Sequence, residues 1–136
     1  MARIIVLLKV IVDLTEMKVD PETRRPITVG VKRRISEVDK RALEAAIKLK
    51  ESGEGEVIAL SMGGSGTKTA LLAALAMGAD AAYIINDEEL AGVDSLATSK
   101  VLKAAVEKIR DYDLIIGGEM ALDSLSAQVV PRIAEL

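Results

Sequence analysis

The stretch Val57-Ile58-Ala59-Leu60-Ser61-Met62-Gly63-Gly64-Ser65-Gly66-Thr67-Lys68-Thr69-Ala70-Leu71-Leu72-Ala73-Ala74-Leu75-Ala76-Met77-Gly78, followed by Ala81-Ala82-Tyr83-Ile84-Ile85, decides the fold. Val57–Leu60 is a continuous apolar run without polar alternation, the pattern of a strand buried on both faces. Glycines at 63, 64 and 66 break the run. A helix-period segment then covers about 67–77 through Leu71, Leu72 and Leu75, and Gly78 stops it. Ala81–Ile85 is apolar again and short enough for a strand. Strand, crossover helix and strand in this order form a βαβ unit, and its two strands run parallel.

The same alternation extends in both directions. Ile4–Leu8 reads as a buried strand rich in β-branched residues. Residues 13–34 are polar and broken by Pro21, Pro26 and Gly30. They form a small excursion, read as a hairpin turning at Asp20-Pro21-Glu22-Thr23. Ser36 offers an N-cap, with Asp39 three residues on in a capping-box-like place. The helix behind it, about 37–52, puts Val38, Leu43, Ala46, Ile47 and Lys50 on a loosely amphipathic face and ends at Gly53. Asp94 or Ser95 caps a helix of about 96–110. Leu114–Ile116 is a further core strand, ending at Gly117-Gly118. A last helix is expected from near Ser124 to the end, with Pro131 tolerated only near its first turn or as a kink. The expected fold is one α/β domain over residues 1–136: a doubly wound, mostly parallel sheet with helices on both faces. In such sheets ligands sit beyond the carboxyl ends of the strands, where the strand order reverses. The loops after Leu8, Leu60, Ile85 and Ile116 are therefore the ones to inspect.

Composition narrows the chemistry. Half of the 136 residues are apolar, enough for a real core. The only aromatics are Tyr83 and Tyr112, so helices must pack on the sheet through aliphatic side chains and alanine. There is no Cys and no His, which excludes disulfides, thiolate chemistry, Cys/His zinc sites and histidine acid–base catalysis. With 18 Lys+Arg against 21 Asp+Glu the formal charge is −3, and the scarcity of aromatics argues against base stacking. Nucleic acid is not an expected partner. The cluster Arg24-Arg25 and Lys32-Arg33-Arg34 reads as a solvated loop. No stretch reaches the ~20 apolar residues of a membrane helix. The N-terminus enters a strand without a signal-peptide pattern, so a cytoplasmic protein is expected.

Two loops are candidate sites. Ser61-Met62-Gly63-Gly64-Ser65-Gly66-Thr67-Lys68-Thr69 lets backbone approach a phosphate at a helix start. It is not a P-loop, because Thr67 separates Gly66 from Lys68, and its bland reading is a flexible turn. Gly117-Gly118 through Asp123, Ser124, Ser126, Ala127 and Gln128 leads from a strand into a helix. Its small residues would let N–H groups face an anion, while Asp123 and Gln128 would reach ribose or base. The bland reading there is a helix capped by Asp123 or Ser124. Lys9 reads either as a phosphate ligand or as a surface charge at a strand end. Asp87, Glu88 and Glu89 lack the alternate spacing of a calcium loop and read as solvated.

At these residues the chain resembles the electron-transfer flavoprotein β subunit, over essentially its whole length. The resemblance lies in Val6-Leu7-Leu8-Lys9-Val10 with Asp13, Lys18-Val19-Asp20-Pro21, Ala42 to Glu51 and Ser61-Met62-Gly63. It continues in Ala74-Leu75-Ala76-Met77-Gly78-Ala79-Asp80, Ala91 to Thr98, Asp113 to Gly118, and Ala121-Leu122-Asp123 to Gln128 and Pro131. It implies a Rossmann-like domain of the adenine-nucleotide-binding type, the N-terminal portion of a longer subunit. That subunit pairs with an α subunit, binds AMP or a second FAD, and helps pass electrons between dehydrogenases and a downstream acceptor. It is an electron carrier rather than an enzyme. Carried over by position, the nucleotide would meet Leu7, Lys9, Ser36, Met62 and Gly63. Asp123, Ser124, Ser126, Ala127, Gln128 and Val129 would wrap its phosphates and ribose. Three places depart from the family pattern: Ser36–Lys40 replaces an Asn-Pro-x-x-Glu-like segment, Leu125 an acidic residue, and Val130 a glycine.

The alternative reading is a stand-alone universal-stress-type ATP- or AMP-binding regulatory domain. It would carry a Gly-x-x-Gly motif with a later Gly-Ser/Thr in the last βα loop, which Gly117-Gly118 followed by Met120-Ala121-Leu122 does not supply. An ATP-pyrophosphatase-type enzyme would need Ser-Gly-Gly-x-Asp-Ser after the first strand, where this chain reads Lys9-Val10-Ile11-Val12-Asp13.

Overall fold

The computed structural model describes residues 2–136. Four parallel strands, β1 (Ala2–Leu7), β6 (Gly55–Met62), β7 (Ala81–Ile85) and β8 (Leu114–Gly117), form one sheet in the order β7-β6-β1-β8. The chain builds β1, β6 and β7 outward in one direction. It then crosses back to lay β8 on the other side of β1. The order therefore reverses between β1 and β8.

Alternate residues of the central strands feed two cores. Ile4, Val6, Val57 and Ala59 face helices α1 (Glu37–Glu51) and α2 (Thr67–Met77), meeting Leu43, Ala46, Leu71 and Ala74. Ile5, Leu7, Ile58 and Leu60 face α3 (Ser95–Ile109) and α4 (Val129–Glu135) through Leu102, Val106 and Ile133. This two-sided burial is why β1 and β6 read as unbroken apolar runs. Ala46, Ala59 and Ala74 are fully buried where helix and sheet approach.

The excursion contains two small antiparallel pairs: β2 (Val10–Val12) with β5 (Arg33–Ile35), and β3 (Lys18–Val19) with β4 (Pro26–Ile27). The second is the expected hairpin. Asp20 Oδ1 accepts the Glu22 and Thr23 amides at 2.8 and 3.2 Å and shapes its turn. The first pair was not foreseen, because Arg33–Ile35 carries two charges in three residues.

The end of the chain differs from expectation. Instead of a helix from Ser124, residues 119–128 run irregularly, with Leu125 and Ala127 at φ of 52° and 53°, and α4 starts at Val129. Pro131, with no N–H to donate, thereby lies in the first turn of α4 and not in a helix interior. Neither Asp123 nor Ser124 caps a helix.

Candidate functional site

Beyond the carboxyl ends of the strands lies a cleft of about 1170 Å³. All four βα loops named from the sequence contribute. Lys9 and Val10 follow β1, and Met62 to Ser65 close β6. Asn86 to Ser95 follow β7, and Gly118 to Ser126 follow β8. The first and last of these flank the point of strand reversal.

The glycine turn after β6 is shaped by close packing. The Gly63 amide donates to the Ile85 carbonyl at 3.1 Å, tying the ends of β6 and β7. A Cβ on Gly63 would sit 2.5 Å from Thr67 Oγ1, and Thr67 is buried. Gly66 has a φ of +85° and lies against the Arg33 side chain, which also lines the cleft. Opposite this wall, Lys9 Nζ donates to Asp123 Oδ1 at 2.8 Å, pinning the long loop after β8 to the end of β1.

Between these walls the buried carboxylate of Asp39 accepts the Lys9 amide on Oδ2 at 2.8 Å and the Gly118 amide on Oδ1 at 3.0 Å. Burial pushes its pKa above the ordinary Asp value. The two amides and Lys9 pull it back, and Asp123 adds a small push upward. The capping-box reading of Asp39 is thus replaced: it bonds to the ends of β1 and β8. The sequence signal was there, since Asp39 shares the buried face of α1 with Ala42, Leu43 and Ala46.

Of the candidate residues, Leu7, Lys9, Met62, Gly63, Asp123, Ser124, Ser126 and Val129 line the cleft. Ser36, Ala127 and Gln128 do not. Ser36 is fully buried. Its extended backbone, φ −54° and ψ 134°, turns the side chain into the core, and its Oγ makes no cap bond. Its amide instead donates to the Lys9 carbonyl at 2.9 Å. Gln128 Oε1 accepts Arg132 Nε and Nη2 at 3.1 and 2.8 Å, which holds its side chain along α4. Ala127 lies in the irregular run before α4 at a φ of 53° and is not part of the lining, although Ser126 and Val129 on either side are. Arg33, Asp39, Asp87 and Asp94 were not among the candidates but belong to the lining. Asp87 and Asp94 accept the Glu89 and Ala97 amides at 3.0 and 2.8 Å; Asp87, Glu88 and Glu89 are exposed, as a solvated loop would be, and Asp87 and Glu88 also border the cleft.

The lining carries six carboxylates (Asp39, Asp87, Glu88, Asp94, Glu119, Asp123) and two cations, Lys9 and Arg33. An anion there would be held by backbone N–H groups and these two side chains, with little help from net charge. A family model, the electron transfer flavoprotein domain, matches residues 26–136. The chain belongs to the electron transfer flavoprotein family. It is 46% identical over 97% of its length to an electron transfer flavoprotein subunit beta of Thermoanaerobacterium thermosaccharolyticum, covering 50% of that protein. It is 40% identical to the caffeyl-CoA reductase-Etf complex subunit CarD of Acetobacterium woodii, over 98% of the chain and 51% of the relative. It is 38% identical to Protein FixA of Azorhizobium caulinodans, over 97% of the chain and 48% of that relative. The chain thus spans about half the length of the curated relatives it matches. Nothing in the match favours a universal-stress domain. No helix among the described residues is long and apolar enough to cross a membrane.

Proposed function

We propose that the chain is the nucleotide-binding part of an electron-transfer flavoprotein β subunit, holding AMP or FAD in the cleft above the β1–β8 reversal. The observation that carries this reading is the convergence of the glycine turn, Lys9 and the Asp123–Val129 loop on one cleft at that reversal. The family match supports it independently. Leu7, Met62 and Val129 would pack on the adenine or flavin ring. Lys9 and the amides of the loop after β8 would hold the phosphate, and Asp123 and Ser126 the ribose. The residues bind and orient; a bound FAD would supply the one- and two-electron chemistry. With an α subunit and a dehydrogenase as partners, the role is electron carriage in the cytoplasm rather than turnover.

Titrating AMP and FAD separately into the purified chain by calorimetry tests the reading. One of them should bind saturably at one site, and Lys9→Ala should weaken it roughly tenfold, as for a lost charge-assisted hydrogen bond. Failure of both nucleotides to bind would refute it.

A further inference from the structure

β1 and β8 stay paired up to Leu7 and Gly117, and beyond that register the strands part to open the cleft. Leu8 turns its amide to the Leu60 carbonyl at 2.9 Å, so the Lys9 and Gly118 amides are the first that need acceptors from outside the sheet. Asp39 supplies both from one side chain. Only a carboxylate offers two acceptors there, because a carboxamide presents one acceptor and one donor. The fit is close: a methyl group on Gly118 would collide with the Asp39 carboxylate and approach Val38 Cγ1 at 2.9 Å. Burial costs this carboxylate desolvation, and the two amides it accepts offset part of that cost.

We propose that Asp39 is the positioning residue of the cleft, fixing the Lys9 and Gly118 amides so that Lys9 and the loop after β8 close on an anionic nucleotide. The inference rests on the nucleotide reading above. Protonation of Asp39 turns one of its acceptors into a donor, releases one amide and loosens the cleft. The charged groups facing it are Lys9 at the end of β1 and Asp123 in the loop after β8. Because its folded pKa is raised, Asp39 contributes stability below the ordinary value of 3.8 that is lost as pH rises through the folded value. Acidification through that window therefore weakens binding while this residue's own contribution to stability rises. A merely structural carboxylate would not give these opposite responses.

The test compares AMP affinity of the wild-type chain and Asp39→Asn from about pH 7.5 downward, with FAD as the probe if FAD is the nucleotide that binds. The ratio of the two affinities cancels the nucleotide's own ionisation. Near neutrality the variant should bind roughly tenfold or more weakly, from one hydrogen bond to a charged group lost and one donor left facing a donor. The ratio should approach one as pH falls through the Asp39 titration. Equal affinities near neutrality, or a ratio that does not change with pH, would overturn the proposal. If Asp39→Asn does not fold, the wild-type chain decides alone by NMR. The Lys9 and Gly118 amide protons should titrate with one midpoint above 3.8, and AMP affinity, corrected for AMP ionisation, should fall through the same midpoint. Separate midpoints, or none, would overturn it. A wild-type chain that binds neither AMP nor FAD overturns the nucleotide reading and this inference together; binding that ignores Asp39 overturns the inference alone.

Discussion

Asp80 shows how a strong family signal can mark architecture and not the site. The segment Ala74 to Asp80 carries the resemblance most clearly, yet it lies at the opposite end of the sheet from the cleft. Asp80 accepts the Val57 amide at 2.8 Å and Lys50 Nζ at 2.9 and 3.0 Å, and Lys50 also donates to the Gly78 carbonyl at 2.9 Å. Lys50, placed by the sequence on the amphipathic face of α1, thus ties α1 to the turn after α2, and Asp80 links that turn to β6. The Val57 amide, followed by Lys50, lowers the Asp80 pKa. Its contribution to stability is present above the ordinary value of 3.8 and is lost as pH falls through the folded value. Asp80→Asn should therefore cost about 1 kcal/mol near neutrality, a figure reduced for solvent screening of a partly exposed pair. Urea denaturation across pH checks it: the gap between wild type and variant should close in acid, and a gap that persists would contradict the assignment. Gly118 is the converse case, a glycine that the site requires. Gly118→Ala should overpack Asp39 and destabilise the chain by about 1–3 kcal/mol, read from urea midpoints.

At the scale of elements, the four strands of the parallel sheet and the first three long helices were legible because each is one period sustained over enough residues. Two-sided burial made β1 and β6 continuous apolar runs, and of the two N-caps the sequence offered for α3, Asp94 and Ser95, it is Asp94 that accepts the Ala97 amide. Two features were not legible. β5 pairs with β2 despite Arg33 and Arg34, because backbone pairing at the cleft edge asks little of side chains. The irregular run before α4 is held by the Lys9–Asp123 contact, and α4 packs so closely on Gly117 that a Cβ there would meet Val130 Cγ2 at 2.5 Å; no local pattern encodes either contact. The cleft was likewise half legible. Spacing pointed to its loops, but whether a side chain faces the cleft or the core, as for Ser36, is settled only by packing. Helix α1 holds its face of the sheet through Leu43, which is fully buried. Leu43→Ala should cost about 2–5 kcal/mol in chemical denaturation, from lost transfer energy plus the cavity left behind. Ser99 stitches α3 to α4, its Oγ donating to the Ser95 carbonyl at 2.6 Å with the Val129 carbonyl 3.3 Å away. Ser99→Ala should cost about 1 kcal/mol by the same assay.

At the scale of the whole molecule, the four parallel strands and four α-helices among the described residues leave a broad cleft where the strand order reverses, and its walls come from the loops that follow β1, β6, β7 and β8. Its lining is more acidic than basic, so a nucleotide would be recognised by aimed N–H groups and by Lys9 and Arg33, not by a general positive field. Binding should accordingly weaken only modestly with salt. The central claim is that this cleft holds an adenine nucleotide or flavin. The most direct measurement is denaturing release of bound small molecules from the purified chain, identified by absorbance and mass spectrometry. The account predicts AMP or FAD at about one per chain, or saturable uptake of one of them by protein purified empty. Release of neither, with no uptake of either when added, would contradict it.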